Sequence, residues 1–186
     1  LEAIAVFFGL LSVWFAKKEN ILVYPTGIIS VLIYVYICFV AGLYADMGIN
    51  FFYFIMSVYG WYKWTRKDTR NRFIPISTNS PAQHIYSIIG TVAFFLILQY
   101  VLRNYTDSTV PYWDSATTAI FIIGMWLMAL KKIENWIFWI IGDLISIPLY
   151  FYKGLALTSF QFLVFLIIAV LGYLEWRQRI KQQQYA

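Results

Sequence analysis

The chain has 186 residues, of which 61% are hydrophobic and only 12% are charged. Because a water-soluble domain usually carries about 25% charged residues, this composition excludes an ordinary soluble protein. The net charge is +5, and the single cysteine and single histidine exclude an internal disulfide and a metal site built from histidines. We therefore expect a membrane protein without a bound metal or cofactor.

Seven apolar segments approach the roughly 20 residues that a helix needs to cross a bilayer. They run over residues 3–16, 21–41, 47–64, 83–102, 112–130, 133–152 and 155–175. The expected fold is an all-α membrane protein with seven transmembrane helices. The sequence has no phosphate-binding glycine motif, no H-E-x-x-H and no Ser/His/Asp set, which argues against an enzyme.

The basic residues fall on one side of these segments. If the first end lies outside, the inward-facing connections hold twelve of the 14 basic residues, and the outward side holds only Arg103 and Lys153. The inward residues are Lys17, Lys18, Lys63, Arg66, Lys67, Arg70, Arg72, Lys131, Lys132, Arg177, Arg179 and Lys181. Positive charge accumulates in cytoplasmic loops, so we predict an external N-terminus and a cytoplasmic C-terminus. The same rule accounts for the basic cluster without nucleic-acid binding.

An internal repeat links the two ends of the chain. A shift of 115 residues aligns the first two helices of each half, and a shift of 112 aligns the third. The matched pairs are Gly9/Gly124, Glu19-Asn20/Glu134-Asn135, Gly27/Gly142, Gly42/Gly154, Gly60/Gly172 and Trp64/Trp176. A three-residue indel would reconcile the two shifts. The repeated unit is three helices, which leaves the fourth helix as a linker.

The expected organisation is two parallel three-helix repeats joined by a linker helix, 3+1+3. It has a first repeat over 1–64, a cytoplasmic basic loop over 65–82, a linker helix over 83–102, an external loop over 103–111, a second repeat over 112–176 and a cytoplasmic tail over 177–186. Transporters built from parallel repeats hold their substrate near mid-membrane, between the repeats.

A polar stripe runs along the sixth predicted helix. Asp143 lies about ten residues into that helix, roughly 15 Å deep at the rise of an α-helix. A charge at that depth costs about 2.5–3.5 kcal/mol, so it needs a role or a partner. Trp136, Trp139, Ser146 and Tyr150 share an arc of about 80° with it. The stripe predicts a substrate site, although an interfacial belt of indoles and an ion-paired structural Asp143 are the alternatives.

The third predicted helix offers a facing wall. Asn50, Tyr53, Ser57 and Trp61 lie within an arc of about 100°. Taken singly, Tyr53 and Ser57 are more often packing residues than ligands. Opposite Asp143, however, this set predicts a wet cavity with aromatic walls. A flat cation fits such a cavity, because its ring stacks on indoles and its charge meets the carboxylate.

Two stretches of the sequence resemble the PnuC family of vitamin transporters. The run YGWYKW at 59–64, preceded by GLYAD at 42–46, is similar to the family's third-helix signature. The run ENWIFW at 134–139, followed by Asp143 and by SIPLY at 146–150, is similar to its sixth-helix W-x-x-W-x-x-x-[ND] segment. The similarity covers essentially the whole chain.

This resemblance implies uptake of nicotinamide riboside or a related vitamin across the bacterial inner membrane. It implies facilitated diffusion, trapping by a cytoplasmic vitamin kinase, a homotrimer and a fold similar to an enlarged SWEET sugar transporter. It places Trp136, Trp139 and Asp143 in the binding motif. Asn50 and Ser57 depart from the family pattern, where Gln and, in some members, Asn are expected. These departures leave the vitamin open. The acidic Asp143 in place of a neutral amide makes thiamine the alternative substrate, and a non-transporting scaffold or receptor is the second alternative.

Overall fold

The protein is a bundle of seven α-helices, described for residues 1–67 and 71–184 by a computed structural model. The helices are α1 (Glu2–Lys17), α2 (Val23–Val40), α3 (Tyr44–Thr65), α4 (Pro81–Tyr105), α5 (Pro111–Ala129), α6 (Asn135–Tyr152) and α7 (Ala156–Gln184). The all-α fold and its seven helices are thereby confirmed. α7 continues through most of the segment predicted as a tail, and Arg70 of the predicted inward set lies outside the described residues.

Local sequence explains where several helices begin and end. The Ser80 hydroxyl accepts from the Gln83 N–H, and the Gln83 side chain accepts from the Ser80 N–H, which forms a capping box at the start of α4. Pro81 follows at a position where a missing N–H costs nothing. Gly42 and Gly154 follow α2 and α6 with φ of +73° and +77°, a left-handed conformation that glycine adopts without a Cβ penalty.

The helices pack mainly on their chain neighbours. α1, α2 and α3 contact one another in sequence, as do α5, α6 and α7, while α4 packs against α5. The two groups meet where α1 contacts α7 and where α3 contacts α5. These neighbours agree with a 3+1+3 arrangement, which stays a prediction.

Three helices in the described chain are long and apolar enough to cross a membrane by length and composition alone. They are α2, α4 and the segment Ala156–Gln183 of α7. α1 has only 16 residues, and α6 carries polar residues, Asp143 among them, that lower its hydropathy. Large apolar side chains on the outside of the bundle, such as Leu96 of α4 and Leu157 of α7, are exposed. An apolar outer surface of this extent is typical of a protein that faces lipid.

Backbone features recur along the chain at a constant spacing of 112 residues. α2 spans 23–40 and α6 spans 135–152, while α3 begins at residue 44 and α7 at residue 156. The left-handed turn residues have the same spacing, in the pairs Glu19/Lys131 and Gly42/Gly154. The helix boundaries and the left-handed turns of the two groups are therefore equally spaced along the chain.

This spacing corrects the alignment expected for the first two helices. The turn after α1 corresponds to the turn after α5 without an insertion, so the shift of 115 residues is wrong. Gly9 and Gly27 correspond to Phe121 and Trp139, and the glycine matches that suggested a longer shift arose by chance.

Two equivalent hydrogen bonds join the groups at one end of the bundle. The Trp64 indole N–H of α3 donates to the Met128 carbonyl of α5 at 3.1 Å. The Trp176 indole N–H of α7 donates to the Ala16 carbonyl of α1, also at 3.1 Å. Donors and acceptors are each 112 residues apart, so the two bonds form a reciprocal pair.

An ion-pair network lies at the same end. The Glu19 carboxylate accepts from the Lys131 ammonium at 2.8 Å and from the Arg179 guanidinium at 3.0 Å. Lys131 is buried, and its ammonium also lies 4.6 Å from the centre of a Trp64 ring. The network and the two indole bonds hold the groups together where most of the basic residues lie.

Candidate functional site

A cavity of about 240 Å³ lies between the two groups of helices. Every helix except α4 contributes to its wall. The lining residues are Gly9, Ser12, Val13, Ala16, Val23, Tyr24, Gly27, Ser30, Val31, Tyr53, Ser57, Phe121, Met125, Met128, Trp136, Trp139, Asp143, Phe162, Phe165 and Ala169. Within the described chain, Asp143 is the only carboxylate in this lining, and no Lys or Arg contributes to it.

Asp143 faces this cavity from the middle of α6. The residue is 2% exposed, and within residues 1–67 and 71–184 its carboxylate has neither an ion pair nor a hydrogen-bond partner. Burying an unpaired carboxylate is costly, and water or a cation in the cavity beside it would offset that cost. The alternative of a structural ion pair for Asp143 has no support in the described chain.

A column of stacked rings forms one wall of the site. Trp139 of α6 stacks on Phe121 of α5, with ring centres 5.3 Å apart and an interplanar angle of 26°. Phe121 stacks on Phe162 of α7, and Phe162 stacks on Tyr150 of α6, at 6.0 Å and 5.0 Å. Three helices thus contribute to a single aromatic surface, which suits the face of a planar ligand.

Trp136 has a different environment from Trp139. It is 1% exposed and packs edge to face against Trp176, with ring centres 5.6 Å apart. Its ring lies over Gly172, where an added Cβ would come within 2.6 Å of the indole. Trp136 therefore borders the cavity and also packs α6 against α7.

Five of the predicted site residues line the cavity and four do not. Those in the lining are Trp136, Trp139, Asp143, Tyr53 and Ser57. Of the others, Asn50 donates its amide to the Asp46 carbonyl at 2.9 Å, and Trp61 is 40% exposed on the outside of α3. Ser146 is fully buried, and Tyr150 lies beside a second, polar cavity of about 380 Å³.

The reason is geometric. The prediction from helical periodicity places every residue of the α3 and α6 faces beside a single cavity. Because the helices cross the bundle among several neighbours, only the middle of the α3 arc and the N-terminal part of the α6 arc border the cavity.

The wall formed by α1 and α2 was missed by sequence reasoning. It presents Gly9, Ser12, Tyr24, Gly27 and Ser30 to the cavity. These residues are small or uncharged and sit in helices that read as ordinary apolar spans. The signal that could have found them is the 112-residue spacing, which aligns this wall with the aromatic residues of α5 and α6.

Comparisons with known proteins agree on one family. The family model described as nicotinamide mononucleotide transporter matches residues 1–178. The chain is 27% identical to the nicotinamide riboside transporter PnuC of Escherichia coli (strain K12), over 95% of this chain and 84% of that protein. It is 23% identical to the riboflavin/roseoflavin transporter RibM of Streptomyces davaonensis, over 94% of this chain and 83% of that protein.

A solved structure shares the fold. The crystal structure of the vitamin B3 transporter PnuC superposes with a TM-score of 0.76 at 25% identity, covering 97% of this chain and 82% of that one. Its similarity extends to the whole bundle, and the relatives named above are transporters. The chain therefore belongs to the nicotinamide mononucleotide transporter family and is a multi-pass membrane transporter related to PnuC.

Proposed function

We propose that the chain carries a cationic vitamin with a single aromatic ring, nicotinamide riboside first, across the bacterial inner membrane. The observation that carries this proposal is the buried, unpaired Asp143 carboxylate beside the stacked ring of Trp139 in one cavity. A pyridinium ring would stack on the indole while its positive charge meets the carboxylate. The nicotinamide riboside transporters among the relatives support the same choice.

The cavity chemistry favours the riboside over its phosphorylated form. A phosphate brings about one and a half to two negative charges at neutral pH. Within the described lining no Lys or Arg is present to neutralise them, and Asp143 would repel them. Riboflavin, which the name of RibM specifies for that relative, is neutral and has three fused rings, so it matches the carboxylate and the space less well.

Transport is proposed to be facilitated diffusion. Proton-coupled carriers usually have several ionisable groups within the membrane, whereas the described cavity lining has one carboxylate. Rocking of α1–α3 against α5–α7 would expose the cavity to each side in turn. A cytoplasmic kinase would then trap the vitamin by phosphorylation, in a homotrimer whose N-terminus is external and whose C-terminus is cytoplasmic.

The proposed contacts divide into two sets. Trp136, Trp139, Asp143, Tyr53 and Ser57 border the cavity as it stands. Asn50, Trp61, Ser146 and Tyr150 would reach the substrate only after the helices move during the transport cycle. The Ser146 hydroxyl is buried without a hydrogen-bond partner in the described chain, which leaves it free to take one in another state.

The binding test titrates purified protein with nicotinamide riboside, thiamine and riboflavin, and reads tryptophan fluorescence. We expect nicotinamide riboside to bind, and Asp143→Asn to weaken that binding by about 1.5–3 kcal/mol, roughly ten- to a hundredfold in Kd. Asp107→Asn, at an exposed aspartate in the connection after α4, is the matched control and should leave Kd unchanged. Equal affinity of wild type and Asp143→Asn would remove the carboxylate from the site.

The transport test measures uptake of radiolabelled nicotinamide riboside into proteoliposomes. Uptake that follows the substrate gradient and is unaffected by dissipating a proton gradient is the expected result. A preference for thiamine would change the vitamin but keep the cationic class. Binding or uptake of none of the three compounds would favour a scaffold or receptor and reject the proposal.

A further inference from the structure

The cavity wall is built from residues in equivalent positions of the two helix groups. Sixteen of its twenty lining residues form eight pairs at the 112-residue spacing. Five of these pairs match in general character, such as Val13 with Met125 and Tyr24 with Trp136. The other three pairs make the two walls of the cavity unlike.

Three pairs differ sharply in size or charge. They are Gly9 with Phe121, Gly27 with Trp139, and Val31 with Asp143. In every case the smaller or uncharged residue lies in α1 or α2, and the ring or carboxylate lies in α5 or α6. The volume of two aromatic side chains is therefore missing from the first group at the positions where the second group has them.

The glycine contacts show how each group uses these positions. In the second group, Phe121 lies over Gly142, where an added Cβ would come within 2.2 Å of its ring, and Trp139 lies against Gly124. In the first group the equivalent helices meet through small side chains. An added Cβ on Gly9 or Gly27 would lie 3.2 Å from the Ser30 hydroxyl or 3.0 Å from the Ser12 hydroxyl. The Ser30 and Ser12 hydroxyls therefore take up part of the volume that the two rings occupy in the second group.

We propose that Gly9, Gly27 and Val31 set the size of the aromatic ring that this transporter accepts. The ring lies against these three residues of the cavity wall, with one face on the stacked rings of the second group and the other toward the backbone of α1 and α2. Asp143 is then opposite Val31, beside the ring, where it meets a positive charge in the ring plane. We expect the slot to accept a single ring more readily than a fused pair, because Gly9, Gly27 and Val31 bound it on one side. This inference rests on the proposed function and adds the residues that select within it.

Val31 is the residue best placed to widen the slot. It follows Gly27 by one helical turn on the same face of α2, so both residues border the cavity. Shortening Val31 adds room without touching the stacked rings or Asp143. Adding a methyl group at Gly27 has the opposite effect.

The test compares nicotinamide riboside with its benzo-fused analogue, the quinolinium riboside, by fluorescence titration. We expect wild type to prefer the single ring by roughly tenfold or more, and Val31→Ala to abolish most of that preference. Gly27→Ala should weaken nicotinamide riboside binding by roughly tenfold or more, since one methylene in a tight pocket has effects of this size. Gly48→Ala is the control, because an added Cβ there meets nothing within 4 Å.

A double variant distinguishes weaker binding from misfolding of the protein. Ser12→Ala combined with Gly27→Ala removes the hydroxyl that the new Cβ would meet, at the cost of the hydrogen bond to the Val23 carbonyl. The double variant should bind nicotinamide riboside weakly while its circular dichroism spectrum stays that of wild type. Wild type that binds both rings equally, or Val31→Ala with the wild-type preference, would overturn the inference. Wild type that binds neither riboside would instead reject nicotinamide riboside as the substrate.

Discussion

The helices α1–α3 and α5–α7 share a backbone path but differ in what they present to the cavity. In the first group, Tyr24 packs edge to face on Trp64 at 5.2 Å and 89°, and in the second group Trp136 packs on Trp176 at 5.6 Å and 89°. An added Cβ on Gly60 would collide with the Tyr24 ring, as one on Gly172 would collide with the Trp136 ring. Ring, indole and glycine thus form the same unit twice, at the spacing of 112 residues.

The contrast lies nearer the centre of the bundle. There α1 and α2 have glycine and valine at the positions where α5 and α6 have phenylalanine, tryptophan and aspartate. The difference teaches that the matched contacts at one end hold the two groups together, while the mismatched residues nearer the centre make the two walls of the site unlike. Variants of the paired contacts at that end should therefore affect stability, and variants at Gly27, Val31 or Asp143 should affect binding.

The largest stability effect is expected at the ion pair that joins equivalent positions of the two groups. Glu19→Gln leaves Lys131 buried without its carboxylate, and removing one partner of a buried pair costs about 3–5 kcal/mol. Because Glu19 retains some solvent contact, we expect a loss near the lower value. Unfolding in mixed micelles followed by circular dichroism measures it, with Glu2→Gln at the exposed start of α1 as the control. A loss equal to that of the control would mean that this network does not hold the groups together.

Alanine substitutions at two glycines of the second group should lower stability by smaller and unequal amounts. Gly142→Ala places a Cβ 2.2 Å from the Phe121 ring, and overpacking of this kind costs about 1–3 kcal/mol. Gly124→Ala meets its nearest side-chain atom at 3.3 Å and should cost less than about 1 kcal/mol. The first group has Ser30 at the position of Gly142, since Gly9 opposite it needs no space. Equal losses for the two glycine variants would break this explanation.

The smallest effect concerns the reciprocal indole bonds. Trp64→Phe and Trp176→Phe each remove one N–H donor from a buried carbonyl, at a cost of about 1 kcal/mol from the hydrogen bond. If the two groups are equivalent at this end, the two variants should lower the unfolding free energy by similar amounts. Thermal unfolding of the purified variants measures both losses. A loss at only one of the two positions would show that the two hydrogen bonds have equivalent geometry but contribute unequally to stability.

The sequence alone determined the membrane class, the number of helices and their approximate ends. Long apolar runs separated by charged or glycine-containing connections predict membrane-crossing helices, because backbone polar groups in lipid must form their hydrogen bonds within a helix. It also identified Asp143 and Trp139, since a carboxylate in an apolar helix is rare and its neighbours are read directly from helical periodicity.

The tertiary structure decided which positions meet across the bundle. Local periodicity places residues on a face of one helix but does not say which neighbour covers that face, so Asn50 and Trp61 were assigned to a cavity that they do not border. Gly9 and Gly27 carry no chemical signal of their own, and their importance comes from the rings that lie opposite. A cavity is space that no side chain fills, and its position depends on how separate helices pack against one another.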